Sequence, residues 1–453
     1  MSSLLEHMER EPGAQLFVHC HQSVSCPSEP HAARPGLERY AARALVLARS
    51  HDIVCVSDEV DPAYLAYLAG LGLGPTPENV VAASRFGGPP SGRTLWARLE
   101  HSSDALRALG TIIRRSGPTR IHPFIASRGP FALAAALEVA AEVEVRVAAG
   151  DPGLVAYADQ KHHIRRKAIE LGVPVAEGEV VELPVAGGRR RRDYDVVRGA
   201  VARQLARTGR VIVRGACGVG GSATFVVGGE GEDVDGLIRR LLERTDNRVY
   251  LVEVLVPVVV SPNVQLHIEP AGGAITCVGV TDQRWERALV HGGNLYPTAA
   301  RTVDRMLEWS HRLAEWLQRE GFSGLLGLDF VEYADPETDE PRAFLAEVNP
   351  RVNGAAYSLG AFERLNLVRR NAGLPPLGAF VSGTIATRHR RFAELRQAAE
   401  SFLYTLARGS GMVLCSIGDL VDGKCSVVLL GASREEVLRA YGELQTWCRG
   451  ERG

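Results

Sequence analysis

Two runs decide the fold of this chain: LLGLDF at residues 325–330 and FLAEVNPRVNG at residues 344–354. Both are apolar, strand-like segments that carry polar side chains toward one end. Glu347 and Asn349 are two residues apart, so on an extended segment their side chains leave the same face, and Asp329 can join them from the neighbouring strand. Oxygen ligands of this kind suit a hard cation that holds nucleotide phosphates. The two runs therefore predict a magnesium and phosphate site, with manganese as the alternative ion.

The second run continues with Arg351 and Asn353, which add a guanidinium and a second carboxamide to the same strand end. The competing interpretation is a hairpin whose polar ends are only solvated. That interpretation suits any one of these residues taken alone, but it does not suit the whole set in one apolar frame. We therefore treat these residues as one predicted site.

The composition is that of a soluble multidomain protein. The 453 residues are too many for one ordinary core, and at roughly 100–200 residues per domain they predict two to four domains. Apolar residues make up 45% of the chain, charged residues 23%, and the formal net charge is -1, so no bulk charge attracts polyanions. Nucleic acid is therefore not an expected partner.

The sequence contains no recognisable targeting or membrane segment. Residues 1–13 carry charges where a secretory signal has an apolar core, and no stretch reaches the roughly 18 uninterrupted apolar residues of a membrane helix. We expect a cytoplasmic protein without a membrane partner. The cysteines form no C-x-x-C pair, so we expect free thiols. The alternative is a metal cluster of His19, Cys20, His21 and Cys26, although no second group of cysteine and histidine ligands follows it in the sequence.

Residues 1–150 alternate strand-like and helical patterns. Short apolar runs at 53–56 and 143–147 alternate with helical periodicity at 62–71 and 130–141, which predicts an α/β fold. This part contains no G-x-G-x-x-G nucleotide motif. We therefore expect it to be a scaffold or a substrate wall and not a cofactor site.

A basic helix and a glycine-rich hairpin follow. The helix carries Lys161, and glycine then proline stop it at residues 172–174. The strand that ends in Arg214 precedes a glycine loop and a second strand at 223–227, an order that is not that of a Walker loop. Glycines let successive amides converge on polyphosphate as a lid, although ordinary turns are also glycine-rich. The basic run 189–192 is predicted to be a solvated loop.

Residues 250–256 form an apolar strand with a single carboxylate, Glu253. Such a carboxylate is costly to bury unless it meets a hydrogen-bond donor. The amino group of adenine is such a donor. We therefore expect this strand to contact a nucleobase.

The basic helix, the glycine-rich hairpin, the strand with Glu253 and the two opening runs follow one another in the order found in the ATP-grasp superfamily. In this order the motifs resemble that superfamily over residues 151–374, about half of the chain. The resemblance implies two subdomains that clamp ATP. At residue 214 this chain departs from the family, which usually has a lysine there; the planar guanidinium of Arg214 keeps the charge but needs a differently shaped space. It implies nucleotide and phosphate contacts by Lys161, Arg214, Gly218, Gly220, Gly221, Ser222, Glu253, Val254, Leu255 and Gln283. It implies magnesium ligands at Asp329, Glu347 and Asn349, and stabilisation of an acyl phosphate and a tetrahedral intermediate by Arg351 and Asn353.

The flanking parts resemble the pheganomycin-type peptide ligases through residues 57–62, 67–68, 151–152, Lys161, Arg165, Arg166 and 172–174. This resemblance implies three domains: a pre-ATP-grasp Rossmann-like α/β domain at residues 1–150, an ATP-grasp domain at 151–375 and a small C-terminal α+β domain at 376–453. Within the ATP-grasp domain it implies two α+β subdomains, a lid subdomain at about 160–250 and a metal-site subdomain at about 251–375. In the last of these the patterns predict a helix at 392–408, strands at 411–417 and 425–430, and a helix from Ser433. A dimerisation module is the open alternative for this piece.

The resemblance implies an ATP-dependent carboxylate–amine ligase. A carboxylate would attack the γ-phosphate to give an acyl phosphate and ADP, and an amine would displace phosphate to form an amide. The expected partners are a small-molecule carboxylate and an amino acid or peptide amine in peptide natural-product biosynthesis. The oligomeric state stays open, with a homodimer as one alternative. Two alternatives stay open: an ATP-grasp carboxylase or carbamoyl-phosphate-type enzyme, which shares the E-x-N-x-R motif, and a non-catalytic ATP sensor.

Overall fold

The computed structural model describes residues 4–8, 13–21, 36–87, 94–183, 190–217, 223–228, 232–244, 247–287 and 290–450. Within these residues the strands form three sheets, of which the first is parallel and the other two are antiparallel. Helices and strands alternate through the first part of the chain. The predicted α/β fold class, with α+β parts after the parallel sheet, is therefore confirmed.

The parallel sheet consists of β1 (Ala14–Val18), β2 (Ile53–Val56), β3 (Val80–Ala82), β4 (Thr119–Pro123) and β5 (Val145–Val147). Its strands lie in the order β3-β2-β1-β4-β5. The helices of this part are α1 (Leu4–Met8), α2 (Pro62–Gly70), α3 (Leu95–Glu100), α4 (Ser103–Ser116) and α5 (Arg128–Ala141). One sheet face packs on α3, α4 and α5, while Phe17 and Val54 of the other face join the core shared with the rest of the chain.

The four-stranded sheet consists of β6 (Gly178–Glu182), β7 (Val211–Gly215), β8 (Thr224–Val227) and β9 (Val249–Val254), in the order β6-β9-β7-β8. Its neighbours along the chain are the helices α6 (Pro152–Ala158), α7 (Lys161–Glu170), α8 (Arg190–Thr208) and α9 (Val234–Arg244). Helices α8 and α9 pack on this sheet through Val197, Val201 and Ile238. Because α8 begins at residue 190, the prediction of a solvated loop at 189–192 was wrong for residues 190–192.

The large antiparallel sheet consists of β10 (Val258–Val260), β11 (Pro262–Ile268), β12 (Ile275–Arg287), β13 (Val290–Tyr296), β14 (Gly324–Ala334), β15 (Pro341–Asn349), β16 (Ala379–Ala386), β17 (Gly411–Ser416) and β18 (Lys424–Gly431). The strand order is β10-β14-β11-β12-β13-β16-β18-β17, with β15 paired to β14. The accompanying helices are α10 (Val303–Arg319), α11 (Gly354–Asn371), α12 (Phe392–Ala398) and α13 (Arg434–Gly450).

The strands of the C-terminal region continue this large sheet. Strand β16 pairs with β13, with Leu295 opposite Val381 and Tyr296 opposite Phe380. The predicted helix at 392–408 ends at Ala398, because the chain then makes a 3₁₀ turn and Leu403 bridges to β17. The predicted strands and final helix are present. The domain boundary at residue 376 stays a prediction.

The register between β14 and β15 positions the polar residues of the opening motif. Asp329 lies directly opposite Glu347, and Gly327 lies opposite Asn349. Directly opposed side chains in an antiparallel pair project from the same face, about 4.5–5.5 Å apart. Helix α11 begins immediately after the motif, where the side chain of Asn353 caps it. In the described part of the chain, no helix has the length and apolar character that crossing a membrane requires.

Candidate functional site

One cavity of about 730 Å³ gathers the predicted site residues. It is bounded by β7 and β9 of the four-stranded sheet, by β12, β14 and β15 of the large sheet, and by the first residue of α13. The predicted residues that line it are Lys161, Arg214, Glu253, Val254, Leu255, Gln283, Asp329, Glu347, Asn349, Arg351 and Asn353. The predicted lid residues Gly218, Gly220, Gly221 and Ser222 lie outside the described residues.

Asp329 is held by carboxamide groups. The side-chain amide of Asn349 donates to Asp329 Oδ2 at 2.9 Å, and that of Asn263 donates to Oδ1. Burial, followed by the negative charge of Glu347, raises the pKa of Asp329 from 3.8 to about 7, although hydrogen bonds from Asn263, Asn349 and Gln283 act in the opposite direction. Two carboxyl groups are thus held side by side at the cavity wall, both partly buried.

Glu347 is the carboxylate of this pair that stays ionised. Its Oε2 lies 3.0 Å from the Lys161 ammonium. Burial alone would raise the pKa of Glu347, but Lys161, and after it Arg214 and Arg351, hold this pKa below its ordinary value. The pair therefore keeps at least one negative charge, and the ammonium of Lys161 occupies the place of a neutralising cation.

The donor set fits a hard divalent cation. Asp329 and Glu347 offer carboxylate oxygens on one sheet face, and Asn349 lies within 3.4 Å of Glu347 Oε1 through its amide nitrogen. A half-turn of that amide exchanges nitrogen for oxygen, and this choice of orientation is set by the neighbouring groups. Among the described residues, no group of three or more His, Cys, Asp or Glu side chains could hold a metal ion. The assignment of Asn349 as a third ligand stays a prediction, and its carboxamide would suit magnesium, since that ion keeps several of its own waters.

Glu253 is satisfied by the protein itself. The carboxylate is 1% exposed, and its Oε1 accepts a hydrogen bond from Arg165 Nη1 at 2.8 Å, while Oε2 accepts from Arg214 Nε at 2.9 Å. The sequence predicted that the Glu253 carboxylate accepts a hydrogen bond from the amino group of adenine. In the structure, the donors to this carboxylate are the guanidinium groups of Arg165 and Arg214. The contact between the Glu253 side chain and adenine stays a prediction, and in this structure both carboxylate oxygens are already hydrogen-bonded.

Arg214 joins the two walls of the cavity. Besides its pair with Glu253, its Nη1 donates to the backbone oxygen of Ala346 in β15 at 2.9 Å. The planar fork of arginine makes both contacts at once, whereas a lysine ammonium has no such fixed geometry. An arginine in place of the usual lysine therefore has a structural role here.

Arg351 lies at the junction of the cavity with the parallel-sheet part. Its Nε is 3.5 Å from Asp159 Oδ1, beyond good hydrogen-bond geometry, and its guanidinium lies 5.7 Å from the centre of the Phe124 ring. The side chain is 9% exposed. Arg351 also lines a second cavity of about 610 Å³ between the parallel sheet and the large sheet. The mostly buried side chain of Arg351 thus forms part of the wall of both cavities.

Asn353 has a positional role that the sequence did not reveal. Its Oδ1 accepts hydrogen bonds from the backbone amides of Ala355 and Ala356, at 3.1 and 3.2 Å, and so caps α11. Its amide end passes over Gly327, where an added Cβ would lie 2.2 Å from Nδ2. A glycine is therefore needed at residue 327 for Asn353 to reach its cap position.

The sequence reasoning missed several residues of this site. Asn263 orders Asp329, and Gln265 donates to Asn263. Their spacing of two along β11 was the available signal, because it places both on one sheet face. Arg434 of α13 also lines the cavity and pairs with Asp282 at 2.8 Å. No local pattern pointed to this last contact, since the two residues are far apart in the chain.

Known proteins of the same architecture match this chain. Residues 41–139 match the Pre ATP-grasp domain family, and no curated relative matches the sequence. An N5-carboxyaminoimidazole ribonucleotide synthetase in complex with ADP is similar at 14% identity with a TM-score of 0.55, covering 98% of each chain. Biotin carboxylase from Campylobacter jejuni is similar at 13% identity with a TM-score of 0.54, covering 94% of this chain and 89% of that one.

A third similar structure is the carboxyaminoimidazole ribonucleotide synthase from Aspergillus clavatus in complex with ATP. It is 12% identical, with a TM-score of 0.51, and the match covers 97% of this chain and 99% of that one. These similarities show that the chain has the ATP-grasp architecture behind a pre-ATP-grasp domain. The predicted fold is confirmed, and at these identities the likeness extends to the fold alone.

Proposed function

We propose that this protein is an ATP-dependent carboxylate–amine ligase that forms an amide through an acyl phosphate and releases ADP and phosphate. The observation that carries the proposal is the meeting of Lys161, the Asp329–Glu347 pair and Arg351 in one cavity. These groups supply a phosphate contact, a cation site and an oxyanion donor. A nucleotide that spans the cavity would place its base toward Val254 and Leu255 and its phosphates toward the charged residues.

Lys161 has two alternative partners in this scheme. In the structure it neutralises Glu347 at 3.0 Å. Magnesium held by Asp329, Glu347 and Asn349 would neutralise phosphate oxygens as charge moves from the γ-phosphate to ADP. Glu347 would then no longer need the ammonium, and Lys161 would be released to contact phosphate.

Arg351 is the residue that we assign to the chemistry at the carbonyl carbon. An oxygen of the substrate carboxylate attacks the γ-phosphorus and ADP leaves. The amine nitrogen then attacks the acyl carbon, and the bond to phosphate breaks as the amide forms, with the departing phosphate taking the proton that the nitrogen loses. Negative charge develops on the carbonyl oxygen in the second step, and a fixed donor there is worth about 3–4 kcal/mol. Arg351 lines the cavity, and its buried Nε has no hydrogen-bond partner among the described residues, which supports this assignment.

We further propose that the amine is an amino acid or a peptide, as in peptide natural-product biosynthesis. The support for this finer statement is the resemblance of residues 57–62 and 172–174 to the pheganomycin-type ligases. A carboxylase that activates bicarbonate is the second candidate. Its support is that carboxyaminoimidazole ribonucleotide synthetase and biotin carboxylase share the fold along nearly the whole chain.

The test is nucleotide release by the purified protein with ATP, magnesium and pooled carboxylates and amines, with hydroxylamine added to trap an acyl phosphate. ADP together with a hydroxamate is the expected result, and the mass of the hydroxamate identifies the acid. AMP with pyrophosphate would refute phosphoryl transfer to the carboxylate. ADP release that requires bicarbonate would favour the carboxylase, and ATP binding without turnover in every pool would favour a sensor.

A further inference from the structure

Among the described residues, one arginine that lines the cavity has no carboxylate close to it. The cations that line it are Lys161, Arg214, Arg284, Arg351 and Arg434. Four of them lie within 4.0 Å of a carboxylate, namely Glu347, Glu253, Asp159 and Asp282 in that order. Among the described residues, Arg284 has no carboxylate within that distance. A half-buried cation without a counter-ion at a cavity wall is a site for an anion from outside.

Arg284 is held in position by the C-terminal helix. Its guanidinium carbon lies 4.1 Å from the centre of the Tyr441 ring in α13, and its Nη1 makes a long hydrogen bond of 3.4 Å to the backbone oxygen of Ser382. Stacking on a ring occupies the face of a guanidinium and leaves its N–H edge for a planar, two-oxygen acceptor. The Tyr441 side chain is buried, so this platform is fixed.

The neighbours of Arg284 suit an organic ligand. Trp285 is 45% exposed, an unusual state for so large an apolar side chain, and it lines the same cavity together with Asn294. Arg434 braces the adjacent strand position by pairing with Asp282 at 2.8 Å and by donating to the backbone oxygen of Pro297. The C-terminal helix therefore shapes this part of the cavity from two points.

We propose that Arg284 binds the carboxylate of the amine substrate, so that the acceptor is an amino acid or a peptide with a free carboxylate and not a simple amine. The guanidinium would form a bidentate, charge-assisted pair with that carboxylate while the side chain of the acceptor contacts Trp285. This assignment rests on the proposed ligase function and names the substrate class of the same cavity. It also gives the C-terminal helix a role in specificity.

The test uses the full-length protein with saturating magnesium-ATP and the donor acid identified by hydroxamate formation. Three acceptor pools are compared at matched concentrations: the common amino acids, their carboxamides and the corresponding decarboxylated amines. We expect kcat/KM for the free amino acids to exceed that for the other two pools by roughly 10- to 100-fold, the range of a charge-assisted pair. Arg284→Gln should remove this preference, and Arg284→Lys should restore part of it.

Two further readouts separate binding of the acceptor from a structural role. Hydroxamate formation needs only the donor acid and ATP, so Arg284→Gln should leave its rate and the KM for ATP within about twofold of wild type. Tyr441→Leu, which removes the platform, should lose more of the preference than Tyr441→Phe, which keeps the ring. Arg107→Gln, at an exposed arginine on α4, is the matched control for loss of a charge.

Each outcome decides the assignment. Carboxamides accepted as well as free amino acids, or a preference that survives in Arg284→Gln, would overturn it while leaving the ligase function intact. A raised KM for ATP with the preference unchanged would assign Arg284 to the nucleotide phosphates instead. The absence of any hydroxamate would refute the ligase function itself, and the assignment of Arg284 with it.

Discussion

Both ends of the main cavity hold carboxylates, fully buried at Glu253 and partly buried at Asp329 and Glu347, but their close charge balances are opposite. At the four-stranded sheet, Glu253 faces Arg165 and Arg214, so two cations meet one anion. At β14 and β15, Asp329 and Glu347 have one described cation within ion-pair distance, Lys161, so one close cation meets two carboxyl groups, while Arg214 and Arg351 act on Glu347 from farther away. A buried carboxylate that is fully paired is part of the architecture, whereas an unbalanced pair is stable only when a cation arrives or a proton is taken up.

Matched variants at Glu253 and Glu347 provide the strongest test of this difference. Glu253→Gln leaves two buried guanidinium groups without their anion and should lower the free energy of unfolding by about 3–5 kcal/mol. Glu347→Gln relieves repulsion with Asp329 and should change the unfolding free energy much less, while magnesium-dependent ADP release is lost. Urea unfolding in EDTA and a magnesium titration of turnover measure the two effects.

The same pair of variants can also refute the comparison. Equal losses of unfolding free energy would mean that both carboxylates are structural. An unchanged magnesium titration in Glu347→Gln would remove Glu347 from the ligand set. Loss of turnover in Glu253→Gln without loss of stability would instead restore the predicted contact between Glu253 and the nucleotide.

Arg351→Ala sharpens the comparison, since the carboxylate near Arg351 is Asp159 and not Glu253 or Glu347, and Arg351 is assigned to the reaction itself. The loss of its guanidinium should slow amide formation by about 10²–10³-fold, equivalent to about 3–4 kcal/mol, because the developing oxyanion loses its donor. The affinity for ATP should remain close to that of wild type. Arg351→Lys, which keeps the positive charge but loses the planar set of guanidinium N–H donors, should recover only part of the rate. Wild-type turnover in Arg351→Ala would show that another group stabilises the oxyanion.

The sequence predicted the positions of the residues at the proposed metal end of the cavity, at β14 and β15, better than those at the other end. Asp329, Glu347 and Asn349 lie on two strands joined by a short connection, so alternation along each strand was enough to bring them to one face. The partners of Glu253 were not predictable in this way. Arg165 is 88 residues away along the chain and belongs to a helix, and the pairing depends on how α7 packs against β9.

The C-terminal region shows the same limit of local patterns. Its strands at 411–416 and 424–431 were recognisable from alternation and from the turn between them. Their pairing through β16 into the large sheet, and the contact of Arg434 with Asp282, depend on tertiary packing and have no local signature. The helix predicted at 392–408 was too long for the same reason, because the bridge between Leu403 and Met412 ends it early.

The charge imbalance at Asp329 predicts an unusual pH dependence in the absence of magnesium. Burial and Glu347 raise the pKa of Asp329 from 3.8 to about 7, so between these pH values the folded protein binds a proton that the unfolded chain has released. Stability must then fall as pH rises through this window, by about 2–4 kcal/mol. Unfolding measured in EDTA from pH 4 to pH 7 checks this decline, which Asp329→Asn should abolish. The same slope in wild type and variant would assign the decline to other groups.

Gly327→Ala tests with the smallest change whether the metal end also depends on tight packing. An added Cβ would lie 2.2 Å from Asn353 Nδ2 and 2.9 Å from Gln265 Nε2. Asn353 must then leave its cap position on α11, which costs about 1–2 kcal/mol of unfolding free energy and moves the segment that carries Arg351. Gly442→Ala in α13 is the control, because nothing lies within 4 Å of the added Cβ and a helix-interior alanine should raise stability by about 0.5–1 kcal/mol. If Gly327→Ala matches this control in both unfolding and turnover, Asn353 moves without consequence, and the charge balance alone defines the site.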